Sequence, residues 1–422
     1  MAERSHRLVI VGGGAGGLEL AVRLARQGEE DVLLIDDGQT HVWKPRLHEL
    51  AAGMRRGQVD ELDYAGLAMQ WGFAFERGTL ADIDPGQNML TLAAMAAGRR
   101  QAAVAERRIG YEALVLALGG VTPDMGVAGV LEHAILLDRE DDAEALFRRY
   151  STGLLARAAA GDNATYHVVV VGSGLTGVEL SAHLMTDATC ADLAPAAELP
   201  EIQVTILEAM DTFMAGMDDK VRETVQARLQ DQGIIIRTGQ QVSKITASMV
   251  ETDAGEQFPA DLTVWATGRV GPPVADDIEA LATNKKRQWQ VRTTLQSVDH
   301  DAIFAFGDCS YIVDDPAPPT SQAANEQAEH LATELPRFLS GETPAAFEFK
   351  DKGTLMALGA AGNVGKIRGM LSKDLQVRGR LAGAAYRGLQ RQHQFRLLGT
   401  TRGLAAVCSD LFRKAGPQLK VY

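Results

Sequence analysis

Three cysteines stand in 422 residues, Cys190, Cys309 and Cys408, each far from the others. No C-x-x-C occurs, which excludes a disulfide framework, a cysteine zinc site and the dithiol chemistry of disulfide reductases, and points to a reducing compartment. No metal site is expected. No uninterrupted apolar run reaches the roughly 18 residues of a membrane-spanning helix. The first strand begins within about seven residues of Met1, which leaves no room for a secretory signal. Aromatic residues make up only 5% of the chain, and the basic stretches carry none of the interleaved aromatic or base-reading side chains that nucleic acid would require. Positive charge is scarce overall, at a net −13, but it is unevenly spread. Residues 350–422 carry 14 Lys and Arg against Asp351, Asp374 and Asp410, a net +11, and the rest of the chain carries −24.

What the chain has in abundance is glycine, 43 residues of it, and one pattern occurs twice. Val9-Ile10-Val11-Gly12-Gly13-Gly14-Ala15-Gly16-Gly17 returns 160 residues later as Val169-Val170-Val171-Gly172-Ser173-Gly174-Leu175-Thr176-Gly177. Each is a β-branched run ending in G-x-G-x-x-G and opening a helical pattern, the signature of a dinucleotide site. The first glycine turns the chain, the second lets a pyrophosphate approach, and the third lets helix and strand close up, so that the helix N-terminus faces the phosphates. An acid at the end of the next strand should hold the ribose. The candidates are Asp36, 24 residues after Gly12, and Glu208, 36 residues after Gly172, the longer interval being a loop-like insertion at 187–200. Glu208 has no following arginine for a 2′-phosphate, which predicts NADH over NADPH.

Two more strand-like segments end in Ala117-Leu118-Gly119 and Ala266-Thr267-Gly268, leaving room beside a bound dinucleotide. A third, Ile303–Cys309, brings Asp308 to a strand end, where it suits the polyol of a flavin nucleotide. Thr320 or Ser321 is expected to cap a helix running to about Leu339, with its positive end toward any anion the site develops. The expected fold is α/β, with two Rossmann-like dinucleotide domains, one inserted in the other. Residues 1–125 with 290–345 form the first domain, 126–289 the second, and 346–422 a C-terminal, membrane-associated amphipathic region. The basic residues of that tail alternate with apolar ones over 378–394. Leu404, Val407, Cys408 and Leu411 follow at i, i+3, i+4, i+7 beside Arg402, Arg413 and Lys414, as in helices lying in a membrane interface.

These segments together resemble the type II NADH dehydrogenases, single-subunit FAD enzymes that reduce membrane quinones without pumping protons. The resemblance runs essentially end to end. Beyond the two glycine motifs it includes His41-Val42-Trp43-Lys44-Pro45-Arg46-Leu47-His48-Glu49-Leu50-Ala51-Ala52-Gly53, the segment that runs back beneath the flavin in the bacterial branch. It also includes Glu179, Trp265–Gly268, Gly307-Asp308-Cys309 and parts of 378–394. The resemblance implies non-covalent FAD on Gly12, Gly14, Ala15, Gly17, Asp36, Lys44, Asp308 and Gln322. It implies NADH on Gly172, Gly174, Thr176, Gly177, Glu179, Glu208 and Gly268. Glu179, Gln322 and Glu326 become the catalytic candidates, with Glu179 read as an acid of the first helical turn that also lies beside the nicotinamide. Gln322, Asn325 and Glu326 line the quinone. Here Ser321–Glu326 departs from the usual Ala-Gln-x-Ala-His-Gln: Asn325 stands for the His and Glu326 for the second Gln. A carboxylate at that position would need a raised pKa to act as a donor. The implied partners are NADH, a membrane quinone and an anionic membrane surface at the cytoplasmic face of the inner membrane, with peripheral attachment and a homodimer left open. Two other readings remain: the same cofactors with a soluble acceptor such as dioxygen or a small redox protein, and a flavin-binding interaction protein responsive to NADH.

Overall fold

The computed structural model describes residues 4–53, 61–96, 103–186, 199–370 and 373–413. Cys190, Lys414 and most of the expected insertion lie outside them, as do the side chains of Arg380, Leu411 and Arg413.

The first sheet grows from β1 (Arg4–Val11), β2 (Val32–Asp36), β3 (Ala74–Arg77), β4 (Leu80–Asp84), β5 (Met89–Leu92) and β6 (Arg107–Leu116). Its order is β3-β2-β1-β6-β5-β4, with the strand Ile303–Ala305 paired in parallel to β6. Leu8–Val11 are buried throughout, a continuous apolar run instead of an alternating one. A parallel strand covered on both faces demands that pattern. Helix α1 (Ala15–Arg26) follows the first glycine turn with α3 (Tyr64–Trp71) beside it, whereas the short α2 (Leu47–Ala51) packs Leu47 and Ala51 into the core of the second sheet.

The second sheet is wholly parallel and comprises β7 (Ala134–Leu136), β8 (Tyr166–Val171), β9 (Ile202–Leu207), β10 (Ile235–Arg237) and β11 (Leu262–Trp265). Its order is β10-β9-β8-β11-β7. Helices α4 (Glu140–Ala160), α5 (Leu175–Leu184) and α6 (Asp219–Asp231) cover it. Ala275, Ile278, Leu281 and Trp289, which follow the last strand of this sheet, pack into the first core. Helix α7 (Ser321–Leu339) starts at Thr320, whose side chain accepts from the Ala323 N–H, and it takes Pro336 into its last turn. Helix α7 lies against α1 so closely that a Cβ on Gly16 would stand 3.3 Å from the Ala324 carbonyl oxygen.

The tail differs from a purely helical region. It opens with an antiparallel sheet, β12 (Gly353–Ala357), β13 (Asn363–Met370) and β14 (Lys373–Arg378), and continues as α8 (Gly379–Arg413), broken at Gly399 with φ +76°. No helix among the described residues is long and apolar enough to cross a membrane.

Candidate active site

Each glycine turn is built the same way. A Cβ on Gly12 would lie 2.4 Å from the Ala117 carbonyl oxygen, and one on Gly17 only 1.9 Å from that of Gly12. The corresponding distances are 2.5 Å from Gly172 to Ala266 and 2.3 Å from Gly177 to Gly172. The middle glycines, Gly14 and Gly174, meet nothing within 4 Å. The outer two are filled by their own chain and the middle one opens outward. Neither helix start, at Ala15 or Leu175, has a side-chain cap, so its N–H groups are left for a ligand. The residues present therefore fit two bound dinucleotides.

Each candidate ribose acid reaches back to its turn. Asp36 accepts from the Gly13 N–H at 2.6 Å and the Gly38 N–H at 2.8 Å, while burial raises its pKa. Glu208 accepts from the Ser173 N–H at 2.9 Å, the Ser173 hydroxyl at 2.5 Å and the Met210 N–H at 2.9 Å. Thr176 is exposed on the second turn, and the Thr267 hydroxyl beside Gly268 is buried without a partner among the described residues. A bound dinucleotide is the natural source of that missing partner.

Asp308 leaves the strand Ile303–Ala305 half-buried, with its pKa raised by burial. Arg269, next after Gly268, brings Nε to 3.7 Å from Asp308 Oδ2 and donates through Nη1 to Asp138 at 3.1 Å and the Gly120 carbonyl at 2.8 Å. Lys44, exposed as a residue, feels the same charges: desolvation, then Arg269, lowers its pKa against the pull of Asp138 and Asp308. One charged network thus joins the strand ends of both domains. Gln327, a residue with no expected role, accepts from the Gly307 N–H at 2.8 Å and so holds the loop before Asp308.

Glu179 and its counterpart Glu19 occupy the same motif position with opposite chemistry. Glu19 is fully buried yet held below the ordinary carboxylate pKa: burial would raise it, but His393, Arg396 and Arg23 together outweigh burial. Glu179 is 8% exposed and has no arginine partner among the described residues. Its Oε1 accepts from the Ala357 N–H at 2.8 Å, its Oε2 stands 3.6 Å from His48 Nδ1, and burial pushes its pKa up to about 8. It lies beyond the first turn of α5, so the helix dipole does not account for it. Burial, then His183, pushes His48 down to about 3, so the two groups face each other uncharged at neutral pH. His48 was present in the sequence only as one letter of a longer segment. Glu179 meets α2 of the first domain and β12 of the tail at one point, which no local pattern reveals.

The expected quinone residues are committed differently. Gln322 donates to the Lys350 carbonyl at 2.8 Å and to Glu326 at 3.1 Å. Glu326 pairs with Lys352 at 2.8 Å and accepts from the Lys350 N–H at 3.0 Å. Burial alone would raise its pKa, but these contacts lower it, the reverse of what a proton donor needs. Glu326 is an anion that clasps the start of the tail to α7. Asn325 has its Oδ1 buried without a partner among the described residues.

Residues 6–328 match the pyridine nucleotide-disulphide oxidoreductase family. Among characterised relatives, a type II NADH:quinone oxidoreductase of Haemophilus influenzae is 31% identical over 98% of this chain and 99% of its own length. One of Staphylococcus aureus is 25% identical over 87% and 91%. NDH2 of Plasmodium falciparum, solved in complex with NADH, superposes with a TM-score of 0.77 at 15% identity over 94% of this chain and 97% of that one. The sulfide:quinone oxidoreductase of Aquifex aeolicus superposes at 0.75 with 17% identity, over 98% and 96%. These two solved structures share the fold. The chain belongs to the pyridine nucleotide-disulphide oxidoreductase family and, within it, to the type II NADH:quinone oxidoreductases.

Proposed function

We propose that this chain is an FAD-dependent NADH:quinone oxidoreductase, with FAD on the turn at Gly12–Gly17 and NADH on the turn at Gly172–Gly177. The observation that carries this reading is the repetition of one built turn, each with its middle glycine open and a ribose acid bonded back to it. The relatives supply the substrate names. FAD, when bound, supplies the two-electron chemistry between nicotinamide and quinone. The chain supplies placement: Asp36 and Glu208 hold riboses, Lys44 and Asp308 border the flavin side of the cleft, and Gly268 leaves room beside the nicotinamide. Glu179 holds a proton on Oε2 below about pH 8; a quinone taking up two electrons needs two protons, and Glu179 would supply the one that the hydride of NADH does not bring. No C-x-x-C stands between the sites to carry a dithiol step, despite the family's description.

We further read the division as 1–125 with 290–345 for FAD, 126–289 for NADH and 346–422 for the tail. The tail carries the enzyme peripherally on the anionic cytoplasmic face of the inner membrane, and catalysis moves no charge across it. Supporting this, Leu381, Leu389 and Leu404 are 76%, 51% and 54% exposed on α8, beside exposed Arg387 and Arg402. A soluble acceptor would leave that apolar, basic edge without a purpose. NADH oxidation coupled to a water-soluble quinone analogue tests the reading. Quinone-dependent turnover is expected; turnover with dioxygen or a redox protein but no quinone would reject it.

A further inference from the structure

A buried chain of contacts runs from the last helix to the first glycine turn. The Gly13 carbonyl accepts from the Tyr64 hydroxyl at 2.8 Å and lies 3.0 Å from His41 Nδ1. A carbonyl only accepts, so His41 carries its hydrogen on Nδ1. Burial pushes the His41 pKa down to about 3, so the ring is neutral and Nε2 is a lone pair. That nitrogen lies 3.0 Å from His393 Nε2, which must then be the donor. One carbonyl thereby fixes the His41 tautomer and makes His393 Nε2 a donor, while His393 Nδ1 stands 3.9 Å from Glu19 Oε2; both relay donors point from the tail toward the turn.

The rest of this half-helix is docked on the same site elements. The Trp43 ring lies 3.9 Å from that of His393, Arg396 pairs with Glu19 of α1 at 3.2 Å, and Gln390 accepts from Arg46 at 2.5 Å. Trp71 Nε1 donates to the Leu397 carbonyl at 2.7 Å just before the break at Gly399. Residues 379–398 therefore back the first nucleotide site, and beyond Gly399 the Arg402 side chain still donates to Gln70 of α3.

We propose that His41 and His393 are positioning residues through which the docked half of α8 fixes the Gly13 carbonyl, so that FAD binding and docking of residues 379–398 are coupled equilibria. The inference rests on the assignment of FAD to the first turn. Coupling of this kind is reciprocal: what the helix contributes to FAD affinity, FAD returns to helix docking.

The test compares wild type with His393→Gln, whose amide N–H can reach the Nε2 position, and His393→Leu, which fills space without a donor. Release of FAD from the diluted holoenzyme, read by flavin fluorescence, is expected to be about tenfold faster in H393L, corresponding to about 1.4 kcal/mol. H393Q should stay within about twofold of wild type. Hydrogen exchange of residues 379–398, compared with FAD loaded and released, should slow on loading in wild type and H393Q and change little in H393L. A side chain that merely fills space would alter exchange equally with and without FAD. Equal FAD release in all three proteins, or equal slowing of exchange by FAD in all three, would overturn the proposal. A wild type that carries no FAD would remove the premise together with the relay, which distinguishes the two failures.

Discussion

Replacing Glu179 by glutamine removes a titration while keeping the carbonyl oxygen that accepts from Ala357. In the unfolded chain the carboxyl ionises near 4.5, and in the folded protein it holds its proton to about 8. Between these values the folded state binds more protons, so stability must fall as pH rises. The slope is about 1.4 kcal/mol per pH unit, which accumulates to about 3 kcal/mol by pH 7 and about 5 kcal/mol by pH 9, where it levels off. Glu179→Gln has no such slope. The melting temperature of the FAD-loaded variant should therefore gain on wild type steadily from pH 5 to 8. On the proposed role of Glu179 as proton donor, kcat/KM for quinone should fall above about pH 8 in wild type and be low and flat in the variant. Parallel melting curves across that range would refute a buried, neutral Glu179, whatever the kinetics showed.

The other predictions concern separate parts of the molecule. Glu208→Gln removes the charge that opposes a 2′-phosphate, so the NADH/NADPH ratio of kcat/KM should fall about tenfold or more; an unchanged ratio would reject Glu208 as the ribose acid. Deleting residues from Gly399 onward should release the protein from anionic vesicles, each basic residue lost having contributed about 1 kcal/mol near that surface. Reduction of a soluble dye by NADH should persist, because residues 379–398 remain to back the first site; unchanged vesicle binding would contradict the tail assignment. Glu326→Gln should cost about 1 kcal/mol of stability through the loosened clasp on Lys350 and Lys352, as read in a melting curve, while quinone turnover stays within about threefold. A loss of turnover of a hundredfold would restore Glu326 to the chemistry.

Much of the first-order design was legible in the sequence because it is local. A glycine turn, the apolar run before it and the acid at the next strand end all lie within some 40 residues, and parallel strands need uninterrupted apolar stretches. The cap at Thr320 and the late Pro336 were equally readable, since both act within one turn of the helix. The tail was legible only by composition. Its charge and apolar stripe gave no sign that Gly353–Arg378 would pair as strands, nor that His393, Gln390 and Arg396 would turn inward. Their partners, His41, Arg46 and Glu19, are more than 340 residues away. Glu19 and Glu179 teach the same point more sharply: identical motif positions end as an anion and a neutral acid, because among the described residues only Glu19 meets arginines, Arg23 of its own helix and Arg396 brought in from α8. The pKa of Glu326 likewise depended on Lys352, which the motif around it does not contain.

The most direct test is an anaerobic two-step mixing experiment. NADH added to the yellow protein should bleach its flavin in a single turnover, and a water-soluble quinone analogue added next should restore the colour in stoichiometric amount. Bleaching that no quinone reverses, with colour returning only on admission of dioxygen, would contradict the account.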